Sequence, residues 1–143
     1  MVYLTAVALA RSRFFLMHAK KIAGFVFIIG GLWSLWGISG IPEQGDQVGA
    51  FLFCIFILCI FKGRSPLVYL GAFFICQWLE IVGTASGTWR WAPIEPVFNW
   101  TQGNPPSGVA AWYCLVDAVA IGFAPKIFNG LQKMNNWYKT ILH

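Results

Sequence analysis

Residues 77–91, QWLEIVGTASGTWRW, decide how this chain is read. Glu80 stands near the end of an apolar run, which leaves through Gly83, Thr84 and Gly87 into a loop rich in tryptophan. An acid in such a run is costly in lipid unless it is paired, protonated or hydrated, so it marks a candidate site. The second such acid is Asp117, in an apolar run that begins near Gly108. The other segments read as the means of holding these two together in a bilayer.

Composition supports that setting. Of 143 residues, 58% are hydrophobic and 10% charged, whereas a soluble domain is typically about a quarter charged. The apolar residues come in long blocks, as in a membrane protein, and the length suits one membrane domain covering residues 1–143. A net charge of +5 could suggest nucleic acid, but the basic residues flank apolar runs and no phosphate-binding glycine loop is present. Nucleic acid is excluded as a partner on that ground. Cys54, Cys59, Cys76 and Cys114 all fall within apolar runs without paired metal-ligand spacing, so they read as small hydrophobes and no metal site is expected.

Four membrane spans are expected, at about residues 22–39, 47–61, 67–84 and 109–124. The fold class is therefore all-α, a polytopic membrane protein with amphipathic interfacial helices at both termini. Gly24, Gly30, Gly31 and Gly37 in the first span would let a neighbouring helix approach closely. The second span is short and borrows flanking residues or stands upright. After the third comes a loop of roughly two dozen residues, long enough to suggest a function, whose tryptophans belong at headgroup level. Ser107 reads as the N-cap of the fourth span, after Pro105 and Pro106, and Pro125 as its end.

The termini complete the pattern. Residues 2–19 read as a helix lying at the interface, with Phe14, Phe15 and Leu16 inserted; alternatively the chain is part of a longer one. Residues 126–142 carry an apolar stripe of Ile127, Phe128, Leu131, Met134, Tyr138, Ile141 and Leu142, with Lys133 and Lys139 off it. That predicts a helix along the membrane plane, or one packed on a partner protein. With the N-terminus inside, nine of the ten basic residues are cytoplasmic and only Arg90 lies outside. The bias puts both termini in the cytoplasm, across the inner (plasma) membrane of a bacterium.

At 1.5 Å per residue, Glu80 lies about 6 Å and Asp117 about 13 Å below the outer ends of their spans. Gln77 shares the face of Glu80, and Tyr113 that of Asp117. The expectation is one polar cluster in the outer half of the bilayer, with Glu80 and Asp117 sharing Gln77, Tyr113 or a water. Trp89, Arg90, Trp91 and Trp100 would roof it. Glu80 and Asp117 are the candidate catalytic acids; Gln77, Trp89, Arg90, Trp91 and Tyr113 are candidates for binding a substrate or lipid. Against this stands helix glue, a neutral acid hydrogen-bonded between helices, and for Glu80 a pairing with Arg90 or the headgroups. His18 and His143 lie outside the spans, which disfavours histidine-ligated haem. No serine, histidine and acid triad can be drawn within the spans.

At Glu80, Gly83, Thr84, Gly87, Trp89 and Trp91 the chain resembles bacterial carotenoid-biosynthesis membrane proteins, which carry an E-x-x-G-T-x-x-G helix end followed by aromatics. The resemblance covers about a dozen residues of a family that is longer and has more spans. It implies a polyisoprenoid ligand and carries over one residue, Glu80. Three function classes are open to such a chain. The first is a non-catalytic subunit or binding module that associates with the bilayer, other membrane subunits or itself. The second is an intramembrane acid–base enzyme acting on an isoprenoid or lipid. The third is proton- or cation-coupled transport.

Overall fold

Apolar runs and the residues that interrupt them set out five helices: α1 (Val2–Arg11), α2 (Arg13–Ile38), α3 (Gln47–Lys62), α4 (Pro66–Ala85) and α5 (Ala111–Ile141). The computed structural model describes residues 1–141, with side chains for 1–125 and 127–132. Among these residues the only β feature is an isolated bridge between Ile94 and Thr101. Three helices are long and apolar enough to cross a membrane, over Arg13–Ile38, Pro66–Ala85 and Ala111–Gln132. The predicted second span is α3, whose 16 residues reach about 24 Å against a hydrocarbon core of about 30 Å.

The N-terminal segment departs from the one helix read over residues 2–19. Ser12 divides it: its backbone is extended and closes α1, while its Oγ accepts from Phe15 N and caps α2. α2 then runs on through a kink at His18 to Ile38, so the first span begins within a longer helix. α1 packs against α4, with Ala6 fully buried. The approach is close because Gly71 has no side chain: a Cβ there would stand 2.7 Å from the Ala6 carbonyl oxygen. Gly71→Ala should therefore lower stability by roughly 1–3 kcal/mol, since backbone must shift to admit a methyl. Gly24→Ala, in open space on α2, should be neutral or slightly stabilising. Thermal unfolding of both variants in detergent checks the pair.

The centre of the bundle is a phenylalanine cluster. Phe73 of α4 lies 5.4 Å from Phe56 and 6.5 Å from Phe53, ring centre to ring centre, both on α3. Of the four glycines expected to allow close approach in the first span, Gly30 leaves room for the Phe53 ring and Gly37 for the Asp46 side chain, whereas Gly31 is in ordinary contact and Gly24 faces open space. Gly108 brings the start of the last helix onto the α3 backbone: a Cβ there would collide with Phe53 N.

α5 also differs from its sequence reading. Residues 107–110 form turns before Ala111, and Ser107 does not cap the helix. Pro125 sits inside α5 and does not end it. A proline removes a single N–H, a loss that helices in apolar surroundings tolerate. The predicted stripe and flanking lysines of residues 133–142 lie outside the described side chains.

Candidate functional site

The two ends of the bundle differ. One carries Lys62, Gly63 and Arg64 between α3 and α4; the other carries the α2–α3 connection and the long loop between α4 and α5. At the loop end Glu80 is one turn short of the end of α4. Its Oε2 accepts from Trp91 Nε1 at 2.8 Å and from Trp89 Nε1 at 3.0 Å. Trp89 lies over Gly83, where a Cβ would collide with the indole. Gly87, at φ +70°, turns the chain back after the helix. The glycines after Glu80 thus let two indoles reach one carboxylate oxygen. Arg90, between them, is exposed.

The long loop is fastened to the α2–α3 connection through Asp46, which is 2% exposed. Its Oδ1 accepts from Gly49 N at 3.0 Å, capping α3, and from Gly103 N at 2.8 Å; its Oδ2 accepts from Ser107 N at 2.7 Å. Ser107 in turn meets Ser34 Oγ at 3.0 Å, and its carbonyl accepts from Gln77 Nε2. Gln77 thus donates to the loop, while its Oε1 has no partner among the described residues. Glu95 accepts from Val97 N and Phe98 N and shapes the loop's tip. In the sequence Asp46 reads only as a loop acid. Its place just before an apolar helix, an N-cap position, is the signal that could have found it.

Asp117 faces a different set of groups. Its Oδ1 accepts from Tyr3 Oη of α1 at 2.9 Å, and Oδ2 has no partner among the described residues. Tyr69 Oη, equally buried, faces the same carboxyl and interacts with it, without a hydrogen bond of good geometry among the described residues. Tyr69 and Glu80 are eleven residues apart on α4, about 16 Å along the axis. The two predicted acids have no hydrogen-bond partner in common, and Asp117 sits toward the Lys62–Arg64 end. The sequence-based depth counts from the start of the last helix and cannot register α5 against α4. Tyr113 lines the groove beside Asp117, with Tyr3, Trp112, Val116 and Ala120.

A larger groove, about 540 Å³, lies between α3 and α5. Leu52, Ile55, Ala111 and Leu115 are among its walls, and Val97, Phe98 and Trp100 hang over it. Trp100 is held edge-on by Phe51 at 5.4 Å between ring centres. Cys59, Cys76 and Cys114 are buried and free, and no three His, Cys, Asp or Glu side chains among the described residues are placed to hold a metal ion.

Comparison with protein-family models, curated proteins and solved structures finds no match. A functional reading therefore rests on the geometry of the grooves and the fates of the buried acids.

Proposed function

We propose that this chain is a non-catalytic binding module of a membrane assembly, and that its α3–α5 groove seats the hydrocarbon chain of a lipid or isoprenoid-type amphiphile. The observation that carries this reading is the groove itself: apolar walls on two helices and an aromatic roof supplied by the long loop. In this reading α3 crosses the bilayer with the three longer helices. Both termini are cytoplasmic and the tryptophan loop is outside, as the basic residues require. The resemblance to carotenoid-biosynthesis membrane proteins supports an isoprenoid-type chain.

The fates of Asp46, Glu80 and Glu95 favour a structural role over acid–base chemistry. All three accept from loop N–H groups. A carboxylate occupied in this way holds structure, and an acid–base catalyst needs a free position within reach of its substrate. Asp117, with its Oδ2 unpartnered among the described residues, is not occupied in this way.

Solvent extraction of protein purified in mild detergent should release a long-chain amphiphile in fixed ratio. Leu115→Trp narrows the groove from the α5 side and should lower that ratio several-fold with helix content unchanged. A released profile matching the bulk membrane, and identical in the variant, would overturn the reading. Co-purification of a fixed membrane partner would identify the assembly.

A further inference from the structure

The groove between α1 and α5 has its own chemistry, separate from the apolar groove. Asp117 is 9% exposed and lines this groove of about 460 Å³. One of its oxygens is taken by Tyr3, and the other has no partner among the described residues. Tyr69 Oη, buried beside the same carboxyl and interacting with it, makes no hydrogen bond of good geometry among the described residues. Buried polar atoms left in this state are uncommon, because each unmade bond costs about 1–3 kcal/mol. Tyr3, Trp112 and Tyr113 supply aromatic walls, while Val116 and Ala120 are apolar.

We propose that this groove binds a protonated amine, with Asp117 as its counter-ion. An anion would meet the carboxyl group with no compensating charge. A hard metal ion takes six or more oxygen ligands, and no acid or histidine cluster of that kind surrounds Asp117 among the described residues. A neutral hydroxyl could donate one bond and leave the carboxylate charge unbalanced. An ammonium group donates up to three hydrogen bonds and can give one or more to the carboxyl of Asp117. It also balances the charge, and its flanking carbons favour aromatic faces. Tyr69 is three residues past Pro66, about 5 Å into α4. The site is thus at a level that either a free alkylamine or the ethanolamine headgroup of a lipid can reach.

Hexylamine and hexanol, equal in chain length, separate charge from hydrophobicity. With the protein in phosphatidylcholine nanodiscs, hexylamine should bind at least ten-fold more tightly than hexanol. Asp117→Asn keeps an oxygen for Tyr3 but should abolish the preference. Leu115→Trp should leave it unchanged, so that this proposal and the α3–α5 groove stand or fall apart. Nanodiscs containing phosphatidylethanolamine give the source: weaker apparent hexylamine binding identifies the lipid headgroup, and an unchanged isotherm a free amine. Equal binding of hexylamine and hexanol by the wild-type protein, or an undiminished preference in Asp117→Asn, would overturn the proposal.

Discussion

Asp46→Ala should remove roughly 3–6 kcal/mol of stability, the largest effect expected of a single substitution in this chain. Three backbone N–H groups, of Gly49, Gly103 and Ser107, lose their acceptor together. Each buried donor left unmade costs about 1–3 kcal/mol, and the helix loses its cap as well. The total falls below the simple sum because the loosened loop can turn some of these groups toward water. Asp46→Asn should fall between, since its amide NH₂ replaces one acceptor with a donor facing an N–H. Thermal unfolding in detergent gives the magnitude, and limited proteolysis within residues 86–110 shows where the structure opens. Stability within about 1 kcal/mol of wild type, too little for three unmade bonds, would mean that Asp46 does not fasten the loop.

Glu80→Leu should free the tryptophan segment at a cost of roughly 2–4 kcal/mol, the bonds being charge-assisted but partly open to solvent. Both indole N–H groups end on the same oxygen. Tryptophan emission should shift to the red, and Trp89 and Trp91 should become accessible to an aqueous quencher. Glu80→Gln retains a carbonyl acceptor and should keep most of the fold and the emission maximum. The Gln variant is the more informative. A large stability loss there would show that the negative charge, and not the acceptor position, holds the loop. Unaltered quenching in the Leu variant would show that Glu80 holds nothing.

Helix positions within the chain's middle are legible because the punctuation is strong. Gly40, Ile41 and Pro42 close the first apolar run; Lys62, Gly63 and Arg64 close the second; Pro66 opens the third. The helices accordingly end at Ile38, begin again at Gln47, and resume at Pro66. The ends of the chain are harder. Residues 2–10 are too few to cross a bilayer, so the sequence suggests a surface helix. What draws α1 onto α4 is the gap at Gly71, which a reading of α1 alone does not contain. Pro125 reads as a stop, yet α5 continues past it.

The sequence by itself determined that this is an all-helical chain with helices long and apolar enough to cross a membrane, because hydropathy and helix breakers act over neighbouring residues. It also marked Glu80 and Asp117 as acids in costly surroundings. Only the tertiary structure decided what each acid does. Glu80 gains its partners from a loop nine to eleven residues away, a short reach that the glycines foreshadow. Asp46 receives donors 57 and 61 residues away, and Asp117 meets a tyrosine 114 residues away. Hydrogen bonds are made over about 3 Å in space, whatever the separation along the chain. Which acid becomes a fastener and which keeps an unpartnered oxygen is therefore settled when the helices pack.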